Sequence, residues 1–265
     1  MSYKQHPPYA VQVELTEGCS LHCSFCGIQG IREKAGGFKY MTQETAARIA
    51  TQIAEHGWNS RIEFAMHGEP SLNPWMLDII KMFRKELPRA SNMMTSNGTG
   101  FLKEGVIDEA FIAGLNVLAL DDYKHANIVP RVLERYAGFV PVFDYPQQKY
   151  ANPHTRRSPN ERLIVRVQDI TEASSGTHSR LNNHCGCAFP AKHVEKRCAK
   201  PFRELSFRWD GNVAICCNDW RGIYKIGNIH DLSLEEIWHH PRFTAARKLL
   251  LDGQRTFSPC NICDA

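Results

Sequence analysis

Between residues 9 and 167 the chain switches repeatedly between two hydrophobic periods. Short apolar runs of the strand kind occupy 9–15 (YAVQVEL), 61–66 (RIEFAM), 91–95, 116–120 (NVLAL), 139–143 and 163–167 (LIVRV). Between them, apolar residues three and four apart predict helices over 41–56, 74–87, 106–113 and 127–136. Local punctuation agrees. Thr42 is placed to cap the first helix and Gly57 to stop it. Pro74 falls in the first turn of the second helix and Pro88 just after it. Pro130 is tolerable only in a first turn, and Pro141 weakens the fifth strand.

Strands alternating with helices imply parallel βαβ units. About six fit, fewer than the eight of a closed barrel, so the expected fold is α/β: a partial (β/α)6 TIM-like barrel. Chemistry on such a barrel sits on loops after the C-terminal strand ends. Cysteines follow the first strand, His67 to Pro70 the second, Ser96 and Asn97 the third, and Asp121 and Asp122 the fourth. Residues 147–160 read as a polar, proline-containing loop. From about Thr171 the alternation ends. The tail predicts a hairpin, 204–208 with 213–216, turning at Asp210-Gly211, and a helix from Ser233. The expected division is a barrel over 1–170, a junction over 171–197 and a small C-terminal module over 198–265.

Composition then narrows the class. Of 265 residues 43% are hydrophobic, enough for one large core with a small appendage. The net charge of +4 permits an acidic substrate or a nucleic acid without demanding either. Basic stretches (Arg156, Arg157, Arg162 and Arg166; Lys192, Lys196, Arg197, Lys200 and Arg203) fit a solvated face. No secretory h-region and no window of about 20 apolar residues is visible, so a soluble, cytoplasmic protein without membrane contact is expected. Ten cysteines change the picture most. Three lie between 19 and 26, seven lie beyond 184, and none lies between. Clustered thiols in a reducing compartment point to metal or redox centres, not disulfides.

The first cluster is Cys19-Ser-Leu-His-Cys23-Ser-Phe-Cys26. Three thiolates hold three irons of a cubane and leave the fourth iron open to a ligand. Zinc is the alternative, with His22 as a fourth ligand. This run, after a first strand, resembles the signature of radical S-adenosylmethionine (radical SAM) enzymes. The resemblance implies a [4Fe–4S] cluster on Cys19, Cys23 and Cys26 that binds S-adenosylmethionine and cleaves it to a 5′-deoxyadenosyl radical. It implies Phe25 near the adenine. His67-Gly68-Glu69-Pro70 resembles the family's glycine-glutamate-proline motif, which receives the amino group through Gly68, Glu69 and Pro70. Thr95-Ser96-Asn97-Gly98 resembles the family's third strand end, with Ser96 and Asn97 near ribose or carboxylate; an ordinary Asn-Gly turn fits it as well. Arg166 is either a partner for a carboxylate or an outward-facing strand residue. Candidates for a catalytic base, by strand-end position only, are Asp121, Asp122, Glu14 and His67. An electron donor such as flavodoxin or ferredoxin is implied.

Cys198, Cys216, Cys260 and Cys263 form the second constellation. Their spacing suits a four-thiolate zinc site or a [4Fe–4S] cluster. The stretch RWDGNVAICCNDW…GNIHDLSLEEIW…PCNIC resembles the twitch auxiliary-cluster domain of the SPASM group, which implies one auxiliary [4Fe–4S] cluster. Gly211-x4-Cys216 favours Cys216 over Cys217 as ligand. Cys185 and Cys187 fall outside the pattern and could face the site, form a redox pair or line the junction. The leading function is therefore a radical SAM enzyme that abstracts a substrate hydrogen and gives an oxidised or rearranged product, with the auxiliary cluster as electron conduit. The substrate is open: a small molecule, a nucleobase or nucleotide approached by the basic stretches and aromatics such as Trp220, Tyr224 and Trp238, or a peptide. A non-catalytic iron–sulfur or zinc protein is the reading from another class.

Overall fold

The computed structural model describes residues 6–28, 31, 37–123, 125–168 and 182–265. The start of the expected junction, 171–181, lies outside the described residues. In chain order the main elements are β1 (Ala10–Val13), β2 (Thr16–Glu17), β3 (Lys39–Tyr40), α1 (Gln43–Glu55), β4 (Arg61–Phe64), α2 (Met76–Glu86), β5 (Asn92–Ser96), α3 (Val106–Ala113), β6 (Val117–Asp122), α4 (Val129–Arg135), β7 (Val142–Tyr145) and β8 (Leu163–Gln168). The C-terminal third adds α5 (Lys200–Arg203), β9 (Glu204–Phe207), β10 (Asn212–Ala214), β11 (Lys225–Asn228), α6 (Leu234–Trp238) and α7 (Pro241–Leu251).

Nine strands form one sheet in the order β11-β10-β9-β1-β4-β5-β6-β8-β7. From β9 to β7 every pairing is parallel, the arrangement of a partial βα barrel. The strands alternate between two apolar faces. Val11, Ile62, Met94, Leu118 and Ile164 belong to the large core shared with the helices. Met93, Val117, Ala119, Leu163 and Val165 form the smaller core on the other face. α1 joins the large core through Ile49 and Ile53, and α2 through Ile80 and Phe83. Phe83 meets Phe64 edge-on with ring centroids 5.2 Å apart. Burying each such ring contributes roughly 1.5–3 kcal/mol.

Local signals act as the pattern predicts. Thr42 caps α1 by accepting a hydrogen bond from Thr45 N at 3.2 Å. Pro130 sits in the first turn of α4. Pro141 precedes β7, so that strand begins at Val142 and lies at the sheet edge, where a missing donor costs least.

Two features of topology differ from a simple succession of units. β8 inserts between β6 and β7, which places the sixth predicted strand inside the fifth. The C-terminal hairpin does not stand apart either. β9 pairs in parallel with β1, and its residues Leu205 and Phe207 join the same core as Val11 and Phe64. An unpaired β1 would leave a row of backbone donors and acceptors open, and β9 closes that edge. The hairpin thereby sets the second cysteine region against the mouth of the barrel.

Candidate active site

Cys19, Cys23 and Cys26 lie on the loop after β2 and line one cavity of about 180 Å³. The loop turns tightly, with Cys26 N donating to Cys23 O at 3.1 Å. Leu21 N and Asn97 Nδ2 both point at Cys19 Sγ, at 3.4 and 3.3 Å. His125 Nε2 lies 3.5 Å from Cys23 Sγ. N–H donors aimed at sulfur favour thiolates, the form that binds iron. His22 turns to a neighbouring cavity of about 240 Å³, which only Cys19 of the three thiols shares. Among the described residues no three Cys, His, Asp or Glu side chains close on one point as for a single metal ion. The thiols instead line a space, as the larger iron–sulfur group requires.

The second strand end is fitted against this loop. A Cβ on Gly68 would lie 2.1 Å from Thr16 O and 2.5 Å from Gly18 O, so only glycine permits the approach. Glu69 N donates to Gly18 O at 2.9 Å, tying the loop to the residue before Cys19. The Glu69 carboxylate is buried and already engaged. Oε1 accepts from Ser71 N, Ser71 Oγ and Ser96 Oγ, and Oε2 accepts from Asn97 N at 2.7 Å. Pro70 opens the 3₁₀ turn that Glu69 caps. Glu69 therefore locks the ends of β4 and β5 together beside the cavity. Burial outweighs these bonds and raises its carboxyl above the usual range.

Asp121 lines the same cavity from the end of β6 and accepts from Tyr123 Oη at 3.2 Å. Burial pushes its carboxyl up to about 7, against the Tyr123 bond and with help from the charge of Glu69. Phe25 is buried against Tyr123, with ring centroids 5.5 Å apart. Asp122 and Arg166 do not line this cavity. They occupy the alternate strand positions, and Arg166 Nε and Nη2 both donate to Asp122 Oδ2, at 2.8 and 2.6 Å. The other arginines of that stretch are also bound within the chain: Arg156 to Asn59, Arg157 to the carbonyls of Tyr150 and Asn152, and Arg162 to those of Pro159 and Glu161.

Glu14 and His67 are both buried; His67 lines the same cavity and Glu14 lies behind it. His67 Nδ1 lies 2.8 Å from Glu14 Oε1, and its Nε2 lies 2.8 Å from the carbonyl of Cys217. Arg208, from the hairpin, reaches Glu14, Glu17 and the carbonyl of Trp220. Burial alone would raise the Glu14 carboxyl, but His67 and Arg208 outweigh it and hold it below the usual range. These side chains join the barrel to the C-terminal segment.

Sequence reasoning did not place three further lining residues at this site, and offered Trp220 only as an aromatic that could stack on a base. Trp220 packs its ring on His67 at 4.7 Å and His184 at 5.0 Å, closing one wall. His184 Nδ1 accepts from Gly27 N at 3.2 Å, and burial pulls its pKa down to about 4, which keeps it the neutral acceptor. A Cβ on Gly27 would lie 2.7 Å from the Trp220 ring. Tyr123 is the third. Only its aromatic character next to Asp121-Asp122 marked it in the sequence.

Behind this wall lies the second thiol set. Cys216, Cys260 and Cys263 are buried, Cys198 is partly exposed, and Cys260 feels the charges of both Cys263 and Cys198. Cys216 and Cys217 diverge. Cys216 joins the core, while Cys217 Sγ lies 3.3 Å from Lys200 Nζ and 3.7 Å from Glu204 Oε2. Cys185, also buried, adds a fifth thiol on the segment that Asn183 ties to Ile262 and Asp264. The buried Nδ2 of Asn218 has no partner of good geometry, yet this amide helps pull the Cys263 thiol down. An orphan donor beside thiols suits a group whose sulfurs accept hydrogen bonds.

Comparison with known proteins agrees with this arrangement. Residues 13–121 match the radical SAM superfamily, and residues 198–264 match SPASM, an iron–sulfur cluster-binding domain. The chain is 24% identical over 256 residues to the S-adenosyl-L-methionine-dependent 2-deoxy-scyllo-inosamine dehydrogenase of Niallia circulans, covering 96% of this chain and 92% of that one. Among solved structures, BtrN in complex with AdoMet and 2-DOIA superposes with a TM-score of 0.74 at 22% identity, covering 98% of this chain and 94% of that one. The AdoMet-bound anSMEcpe superposes with a TM-score of 0.55 at 13% identity, covering 92% and 81%. Both family spans enclose their own cysteine cluster, so the chain carries a radical SAM domain over 13–121 and a SPASM iron–sulfur cluster-binding domain over 198–264.

Proposed function

We propose that the chain is a radical SAM dehydrogenase that oxidises a hydroxyl group on a small, polar, amine-bearing ring compound. The observation that carries this reading is the shared cavity, where three thiols meet Asp121 and the Glu69 clamp. When bound there by Cys19, Cys23 and Cys26, a [4Fe–4S] cluster supplies the electron that cleaves S-adenosylmethionine to the 5′-deoxyadenosyl radical, which takes a hydrogen atom from the substrate. The chain's own residues do the rest. Glu69, buried, and Asp121, half-buried, are both raised above their usual range by lost solvation and favour a cationic ligand, and S-adenosylmethionine carries both a sulfonium and an ammonium. Gly68 and Glu69 shape the loop that meets it, and Ser96 and Asn97 are held beside them by the Glu69 bonds. Phe25 packs the adenine side. Asp121 takes the hydroxyl proton, as a base with its pKa near the working pH should. Trp220 and His184 close the wall and exclude water.

The four thiols Cys198, Cys216, Cys260 and Cys263 would hold an auxiliary [4Fe–4S] cluster, which supplies an acceptor for the electron the oxidised substrate must still lose. A closed four-thiolate site has no open corner for substrate. The functional division is thus 1–170 for radical generation and 198–265 for electron removal, with a flavodoxin or ferredoxin supplying the first electron. The dehydrogenase relative supports an alcohol as substrate. The test is anaerobic reconstitution, reduction with dithionite and assay for 5′-deoxyadenosine, with and without candidate amino-polyols. A substrate deuterated at the carbinol carbon is expected to pass its label into 5′-deoxyadenosine and leave as a ketone. A reconstituted chain that makes no 5′-deoxyadenosine would overturn the reading.

A further inference from the structure

We propose that Asn183 and His184 are positioning residues: together they clamp the first cysteine loop to the turn that carries Cys260 and Cys263, and so fix the separation of the two thiol sets. The consequence for turnover rests on the reading that the first set generates the radical and the second takes the remaining electron.

The pair lies between the two matched spans in the chain. One end grips the C-terminal turn. The buried Asn183 donates its N–H to Asp264 Oδ1 at 2.7 Å and its Nδ2 to Ile262 O at 2.7 Å. Asp264 N donates back to Asn183 Oδ1 at 3.4 Å, and Lys192 N donates to the same Ile262 carbonyl at 3.2 Å. The other end grips the first loop. His184 Nδ1 accepts from the N–H of Gly27, the residue after Cys26, at 3.2 Å. A Cβ on Gly27 would lie 3.0 Å from that nitrogen, so the loop comes this close only because residue 27 is glycine. The His184 ring is held in turn by Trp220, stacked at 5.0 Å.

The backbone is strained to make both grips. His184 and Cys185 have φ of 47° and 52°, and Gly186 follows at 76°. Left-handed backbone is uncommon for residues with a Cβ and persists only where the surroundings fix it. Cys187 N donates to His184 O and Ala188 N to Asn183 O, both at 3.2 Å, which closes the turn on itself. The turn therefore moves as one piece, and a displacement of the C-terminal turn is passed on to Gly27. A misplacement of about 1 Å at a reacting centre can cost on the order of 10²-fold in rate, which gives such a clamp its use.

The experiment uses the anaerobically reconstituted full chain. Hydrogen exchange of the peptide covering 19–28 is read by mass spectrometry, beside the 5′-deoxyadenosine formed per oxidised product. His184→Phe keeps a ring for Trp220 and removes the acceptor. Exchange over 19–28 is expected to rise roughly two- to tenfold, the worth of one hydrogen bond, and 5′-deoxyadenosine per product to rise with it. His184→Asn supplies an acceptor oxygen and tolerates left-handed backbone, and is expected to return most of the exchange. Asn183→Leu changes no contact of the first loop, yet is expected to raise exchange over 19–28 as well as over 260–264. Unchanged exchange over 19–28 in Asn183→Leu overturns the clamp, since His184 would then be a local wall residue. Where Asn183→Leu does not fold, equal exchange over 19–28 in His184→Phe and His184→Asn overturns it. Raised exchange with an unchanged ratio of 5′-deoxyadenosine to product overturns the consequence for turnover. An unaltered chain that makes no 5′-deoxyadenosine overturns instead the underlying reading, and the exchange measurements still decide the clamp.

Discussion

The two cysteine regions are built on opposite principles. The first takes its three thiols from one eight-residue run, so local sequence fixes their spacing. They face a cavity shared with Asp121, and Asn97 from the loop after β5 and His125 from the loop after β6 reach in to meet them. The second gathers its thiols from segments separated by up to 78 residues, Cys185 to Cys263, and buries most of them. An open site on a short loop can receive a ligand, whereas a site closed by distant segments leaves no position for one. The difference teaches that cysteine number says less about chemistry than how many chain segments surround the thiols.

The comparison breaks most sharply by removing thiols from one side at a time. Cys19, Cys23 and Cys26 changed together to Ala should abolish 5′-deoxyadenosine formation altogether. Cys260→Ala should instead leave 5′-deoxyadenosine formation measurable while product oxidation falls to background. Equal loss of both activities in both variants would erase the proposed division of labour.

A smaller effect is expected at the base. Asp121→Asn should lower substrate oxidation by about 10²- to 10⁴-fold while 5′-deoxyadenosine still forms in uncoupled turnover. In the unaltered chain oxidation should rise with pH through about 7, because the base must lose its proton. The stability contribution runs the other way. A carboxyl raised in the folded state keeps its proton longer than in the unfolded chain, so Asp121 costs stability as pH rises from its ordinary value of 3.8 towards 7. A pH–rate profile alongside denaturation at several pH values checks both signs.

Next comes packing at the first site. Gly68→Ala forces the loop away from Thr16 and Gly18, and should cost about 1–3 kcal/mol and weaken S-adenosylmethionine binding, as read by denaturation and equilibrium titration. The smallest changes are helix caps in the two regions. Thr42→Ala, and Ser233→Ala in the capping box of α6, should each cost about 1 kcal/mol and leave iron content unaltered at both sites.

The candidate site was legible in sequence wherever its parts are local. Cys19 to Cys26 and the Gly68-Glu69 pair are short runs, and the chemistry expected of them is what their resemblance to the radical SAM signature implies. Strand-end position alone could not separate Asp121 from Asp122. Alternation along β6 turns the first to the cavity and the second to Arg166, and the phase of that alternation depends on which face the helices cover. Glu14 and His67 also stood at strand ends, but Arg208, arriving from 194 residues beyond Glu14, makes them a buried joint.

Sequence by itself determined the alternating elements, their caps, the parallel barrel class and the clustering of cysteines towards the two ends of the chain, because periodicity, turn chemistry and position in the chain are read without the fold. The tertiary structure alone decided that β9 closes the edge beside β1, that β8 slips inside β7, and that the segment after the hairpin sets Trp220 against His67 in the wall of the first site. It also decided that Asn183, two residues before Cys185, is tied to Ile262 and Asp264. Those outcomes depend on which exposed edges and apolar faces find one another, and no residue carries that choice in its own neighbourhood.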